Sequence, residues 1–221
     1  MGDVRENVLK ILAEIPKDII VVAAAKSKSI QDIEDAISAG INTVGENYLQ
    51  ESRTAIEAIG NRVSWHFIGH IQKNKVKHIV PFFDMIETVD SLDLATLIDQ
   101  QAQKLGKVMP VLIEVNIAHE EQKHGAMPED VPTLIKEIGK LPNINVKGLM
   151  TMGPFLDDLA GLQPYFRQTR QLFEEIKSLH LPNVDMEHLS MGMSDSYLIA
   201  IEEGATMVRI GTKIFGPRSY A

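Results

Sequence analysis

The residues best suited to chemistry in this sequence are a lysine and two small-residue loops far downstream of it. Ile19–Ala25 is unbroken apolar sequence, β-branched at its start, and reads as a short strand buried on both faces. The run stops at Lys26, with Lys28 just beyond. A lysine there is either a solvated strand end, the commoner fate of the residue, or an amine nucleophile held where water is scarce. Ser190-Met-Gly-Met-Ser194-Asp leads into a helical pattern, and Arg209-Ile-Gly211-Thr212 leads into a final turn. Small residues let backbone N–H groups approach an anion, and hydroxyls add donors. Singly, each loop reads as turn glycines and capping serines; the pair reads better as a phosphate cradle. An amine close to a phosphate cradle suits a phosphorylated aldehyde held as a Schiff base.

Arg209 narrows the aldehyde. A pyridoxal ring needs a partner at its pyridine nitrogen, usually Asp or Arg. A carboxylate would keep that nitrogen protonated and make the ring a strong electron sink. An arginine cannot accept a proton, so the sink is weak and transamination or decarboxylation is disfavoured. An ion pair at a barrel rim explains Arg209 equally well on sequence alone.

Other signals carry less. No metal site is expected: His66 and His70 flank a strand end rather than share a helix face, and Glu121 and His124 pair by spacing alone. Lys73, Lys75 and Lys77 read as the solvated face of a basic helix over His70–His78, and no tyrosine carries a pattern that marks it as a catalytic acid. The 221 residues include no cysteine, which excludes disulfides and thiolate metal sites. A formal net charge of −8 argues against a nucleic-acid surface. The acidic N-terminus is no signal peptide and no window approaches a membrane span, so a cytosolic protein without membrane or nucleic-acid partners is the default.

Elements that would position these residues alternate along the whole chain. A helix over residues 2–15 ends at Pro16. Strands are expected at Ile19–Ala25, Asn42–Val44, Ser64–Ile68, Met85–Val89, Val108–Ile117 (the longest), Val146–Met150, Val184–Leu189 and Thr206–Ile210, with helices between them. Eight such units imply right-handed parallel crossovers and a closed (β/α)₈ TIM barrel: one domain over residues 1–221, with an extra N-terminal helix. An open doubly wound sheet is the competitor, but no G-x-G-x-x-G or Walker A pattern occurs. Closure matters to the chemistry. It sets the last strand beside the first, about 5 Å away, so Lys26 would stand near the phosphate loops.

Several stretches then resemble the pyridoxal phosphate homeostasis protein family. They are Ala-Lys-Ser-Lys at 25–28, Gly-Glu-Asn-Tyr-Leu-Gln-Glu at 45–51, Trp-His-Phe-Ile-Gly-His-Ile-Gln-Lys-Asn-Lys at 65–75, Gly-Leu-Met-Thr-Met at 148–152, Leu-Ser-Met-Gly-Met-Ser-Asp at 189–195 and Thr-Met-Val-Arg-Ile-Gly-Thr-Lys-Ile-Phe-Gly at 206–216. That family is similar to the N-terminal barrel of alanine racemase without its second domain. The resemblance implies that Lys26 carries pyridoxal 5′-phosphate as an internal aldimine. It implies that Ser190, Gly211 and Thr212 hold the phosphate, that Arg209 lies near the pyridine nitrogen and Asn47 beside the ring, and that Met191 and Ser194 line the pocket. His70 stands where the family more often has Pro, and Ala118–Gly125 is His-, Glu- and Lys-rich where a Ser-rich loop is common.

The function so implied is storage and delivery of pyridoxal 5′-phosphate to dependent apoenzymes, by a monomer or weak dimer without strong turnover. The alternative is a weak amino-acid racemase, which needs a second base on the opposite ring face. A Schiff-base aldolase would keep Lys26 but stay colourless.

Overall fold

The computed structural model describes residues 3–217. Asp3 caps the first helix, α1 (Val4–Glu14), its carboxylate accepting from the Arg5 N–H. The Gly2 start expected from sequence lies outside the described residues. Eight parallel strands follow, β1 (Ile20–Ala24), β2 (Thr43–Glu46), β3 (Ser64–Phe67), β4 (Met85–Val89), β5 (Met109–Glu114), β6 (Ile144–Met150), β7 (Val184–Ser190) and β8 (Met207–Ile210). They pair in chain order, and β8 pairs back to β1, so the barrel is closed. Helices α2 (Ile30–Ser38), α3 (Leu49–Ile59), α4 (Val76–Ile79), α5 (Leu92–Lys104), α6 (Val131–Ile138), α7 (Gln163–Ser178) and α8 (Tyr197–Glu202) connect successive strands, and α9 (Thr212–Phe215) follows β8. The (β/α)₈ barrel with an added N-terminal helix is therefore the fold.

Local chemistry explains the elements. Ser29 and Asp32 form a reciprocal capping box at α2, satisfying orphan N–H groups at its start. Alternation along each strand sends side chains to two apolar layers. Inside the barrel pack Val22, Met85, Leu112, Met150 and Met207. Val21, Ala23, Val44 and Phe67 point the other way, into the larger core shared with the helices. Each full burial of a Val, Leu or Met side chain contributes about 1.5–3 kcal/mol. On the outside, Asn7 of α1 donates to the Ile214 carbonyl over 3.0 Å, and Tyr197 donates to Glu14 over 2.5 Å. The N-terminal helix thereby braces α8 and α9, and α9 starts at one of the candidate phosphate loops.

Two expectations are corrected. Residues 70–78 are not one helix: Gln72 is extended, Lys73–Lys75 is a 3₁₀ turn, and α4 begins only at Val76. Ile71 is buried, and seating it costs the helix its first turn. Nor is β5 the longest strand. It ends at Glu114; Val115 still donates to Met150, but from Asn116 on the backbone bonds go to Ala126 of its own loop, and β6 and β7 are longer. Among the described residues no helix is long and apolar enough to cross a membrane.

Candidate functional site

The two lysines after β1 have different fates. Lys28 turns back and donates to the carbonyls of Phe215 and Gly216, at 3.2 and 3.5 Å, so it caps the C-terminal end of α9. Lys26 is half-buried. Its Nζ donates to the Tyr48 hydroxyl over 3.1 Å and lies 4.7 Å from that ring's centroid. The tyrosine thus offers the ammonium both a hydrogen bond and a π surface. Sequence reasoning missed Tyr48, because its role comes from the neighbouring strand and not from any local pattern.

Parallel register puts the candidate phosphate loop after β8 against the end of β1. Val22 pairs with Arg209 and Ala23 with Ile210. Gly211 then lies so close to β1 that a Cβ on it would stand 3.3 Å from the Ala24 carbonyl oxygen. Ser194, in the loop after β7, accepts at its Oγ from the N–H groups of Gly211 (3.3 Å) and Lys213 (3.4 Å). The loops after β7 and β8 therefore form one unit, with the Thr212 side chain exposed beside them. Asn47 follows β2, and Gly69 packs tightly on its backbone. Met191 is not brought to this group; its side chain is fully buried in the core shared with the helices.

Beneath the mouth lies a buried polar layer. Arg209, 4% exposed, donates to the Ser190 hydroxyl over 2.6 Å and to the Thr151 carbonyl over 2.9 Å. The Ser190 hydroxyl donates to Glu87 over 2.7 Å, and the other Glu87 oxygen lies 2.8 Å from His66 Nδ1. The single O–H donor of Ser190 is thus committed inside the barrel. Burial opposes ionisation of Glu87, but the His66 hydrogen bond and charge, the Arg209 charge and the Ser190 hydroxyl together hold its carboxyl below the usual range. Burial likewise weakens the proton affinity of Arg209, against the charges of Glu87 and Glu114. Glu114, at the end of β5, is pushed up to about 7 by burial and by the Asp90 charge, with Arg209 pulling the other way. Glu87 and Glu114 had a signal in the sequence: each interrupts an apolar strand run, and buried carboxylates need a reason.

Two cavities flank the mouth. One of about 730 Å³ runs past Asn47, Tyr48, Gly69 and His70. The other, about 390 Å³, runs past Glu114, Asn116, His124, Thr151 and Met193. The arrangement as a whole offers an amine, two small-residue loops joined through Ser194 and a buried guanidinium.

Comparison with known proteins agrees with the geometry. Residues 1–219 match the family model described as alanine racemase, N-terminal domain. The pyridoxal phosphate homeostasis protein of Aquifex aeolicus is 42% identical over 200 residues, covering 90% of this chain and 87% of that protein. The human protein of the same name is 39% identical over 235 residues, covering 99% and 85%. Among solved structures, PipY of Synechococcus elongatus with PLP bound superposes with a TM-score of 0.88 at 29% identity, covering 96% of this chain and all of that one. An alanine racemase from Clostridium difficile shares the fold alone, with a TM-score of 0.80 at 16% identity, covering 99% of this chain and 57% of that one.

Proposed function

From the premise that the chain belongs to the pyridoxal phosphate homeostasis protein family, built on the alanine racemase N-terminal domain, we propose that it binds pyridoxal 5′-phosphate through Lys26 and holds it without strong turnover. The residues fit the group. An aldehyde needs a primary amine, and Lys26 Nζ stands at the mouth of the barrel beside Tyr48. A phosphate needs donors at close approach and a position without a side chain; Gly211, seated against Ala24, is that position, and Ser194, whose oxygen accepts from the Gly211 and Lys213 N–H groups, has its O–H to donate. When bound, the cofactor supplies an electrophilic aldehyde and an electron-withdrawing ring.

The chain's own residues have separable tasks in this reading. Lys26 Nζ would hold the cofactor through its aldehyde. Gly211, Thr212 and Ser194 would hold the phosphate, Asn47 would lie beside the ring, and Arg209 would serve the pyridine nitrogen. Ser190 enters through Arg209, because its hydroxyl fixes one end of the guanidinium and Glu87 fixes the hydroxyl. An arginine in that place leaves the ring nitrogen unprotonated, which favours holding the cofactor over reacting through it. The observation that carries the reading is the adjacency of β1 and β8, with Gly211 seated against Ala24 just before Lys26.

Visible spectroscopy of the purified full chain with added pyridoxal phosphate tests it. A band above the free-cofactor spectrum, fixed to the protein by borohydride and absent in Lys26→Ala, is the expected result. A wild-type chain that stays colourless, or a variant that keeps the band, would overturn the covalent assignment. Turnover of D- or L-alanine at ordinary enzyme rates would overturn the carrier role.

A further inference from the structure

Three side chains that play no part in the proposed cofactor site meet on the rim of the barrel. His70 comes from the loop after β3, Asp90 from the residue following β4, and His124 from the loop after β5. Their ligand-capable atoms all lie within 4.8 Å of one another. The two imidazoles stack with centroids 3.6 Å apart and planes 11° from parallel. The geometry points to a binding site for a divalent first-row transition ion, held by His70, Asp90 and His124.

Donor chemistry selects the class of ion. Two imidazoles and one carboxylate suit Zn²⁺ and its borderline neighbours, whereas Mg²⁺ and Ca²⁺ prefer all-oxygen sets. Ligand distances near 2.0–2.1 Å put tetrahedral donor atoms about 3.3 Å from one another, so atoms up to 4.8 Å apart have to close by as much as about 1.5 Å. They also require the two rings to tilt apart, so that one nitrogen of each aims at the ion. Both histidines are exposed, so this turn displaces solvent and no packed neighbour.

The backbone beneath both histidines is anchored independently of any ion. On the His70 side, the Thr88 hydroxyl donates to the Gly69 carbonyl over 2.6 Å, and a Cβ on Gly69 would stand 2.3 Å from the Asn47 oxygen. On the His124 side, the Asn116 side chain donates to the Glu120 carbonyl over 2.9 Å and accepts from the Glu120 N–H over 3.1 Å. Gly125 has a φ of +113°, and a Cβ there would stand 2.6 Å from the Asn116 nitrogen. The loop after β5 is therefore folded on itself, and it delivers His124 to a fixed place. Fixed supports are what a binding site needs to form without reordering its loops.

His70 lines the larger cavity and His124 the smaller. An ion held between them would tie the loops after β3 and β5 across the end of β4, as a clasp on the rim. The site lies outside the Lys26 cradle and does not depend on the cofactor reading.

Titration of the full chain, free of any histidine tag, with Zn²⁺ by calorimetry and with Co²⁺ by visible absorption tests the site. Lys26→Ala is titrated in parallel, so that cofactor chemistry contributes nothing to the signal. One equivalent of ion is expected in both proteins. His70→Ala and His124→Ala should each weaken binding by about a hundredfold or more, since each removes one of three ligands. Circular dichroism checks the fold, and His70→Gln and His124→Gln stand in should an alanine variant misfold. Absence of stoichiometric binding in the wild-type chain would overturn the site, as would an undiminished equivalent in the His70→Ala/His124→Ala double variant.

Discussion

Arg209 reaches Glu87 through one hydroxyl: Ser190 accepts from the guanidinium over 2.6 Å and donates to the carboxylate over 2.7 Å. All three side chains are buried, so neither charge has water to fall back on. A chain of this kind is stable only while every member is satisfied. Ser190→Ala removes the shared oxygen and leaves an N–H of Arg209 and an oxygen of Glu87 without it. Hydrogen bonds to charged groups contribute about 1.5–3 kcal/mol each, so a loss of about 3 kcal/mol is expected in urea unfolding. The variant should still take up pyridoxal phosphate covalently, because Lys26 is untouched, but retain it less well on dialysis. Unchanged stability would mean that water repairs the gap and the layer is not sealed.

Glu114 makes stability depend on pH in the direction opposite to an ordinary paired carboxylate. Burial and the Asp90 charge raise it to about 7 from 4.5. Between those values the folded state keeps its proton while the unfolded chain loses it. Folding stability is therefore drawn down as pH rises through this window, by about 3 kcal/mol at most. Glu114→Gln abolishes the effect. His70 and His188 are pushed down by burial and act with the opposite sign in an overlapping range. The wild-type curve mixes these groups, and the difference between the two proteins isolates one. That difference should grow in favour of Glu114→Gln from pH 5 to pH 8. Parallel stability curves would show that the carboxyl ionises freely in the folded state.

Gly148 of β6 pairs with His188 of β7. Its φ is +149°, and a Cβ on it would stand 1.7 Å from the His188 carbonyl oxygen. Backbone cannot step aside as a side chain can, so Gly148→Ala should cost more than about 3 kcal/mol or prevent folding. Gly106 is the control. It also has positive φ, +63°, but a Cβ there would meet nothing within 4 Å, so its alanine variant should lose only about 1 kcal/mol of backbone strain. Denaturation midpoints of the two variants check the ranking, and equal losses would contradict it.

The barrel was legible because its strands are short apolar runs closed by glycines and polar caps, as at Ile20–Ala24 and the Ser29–Asp32 box. The approach of Gly211 to Ala24, just before Lys26, was legible once closure was assumed, since register then leaves little freedom. What stayed hidden depends on contacts between distant loops. Beyond Glu114 the chain keeps one bond to Met150 and then pairs with Ala126 of its own loop, so an apolar strand run overstates β5. Ile71 is drawn into the core and breaks a pattern that looked helical. Tyr48 beside Lys26, and His70 against His124, are meetings of side chains from different loops, which no periodicity encodes.

Tyr48 gives the lysine a hydroxyl and a ring, and one substitution separates them. Tyr48→Phe keeps the π surface 4.7 Å from the amine and deletes the 3.1 Å hydrogen bond. The side chain is 49% exposed, so stability should change by less than about 0.5 kcal/mol. The covalent link should survive, because the amine remains. Its rate of formation should fall relative to wild type, since the hydroxyl no longer accepts from the amine and no longer positions it. Tyr48→Ala removes both contacts and should slow cofactor uptake further. Stopped-flow absorbance distinguishes the three proteins. If all three load pyridoxal phosphate at the same rate, Tyr48 is a bystander and the amine at Lys26 is governed by the barrel mouth alone.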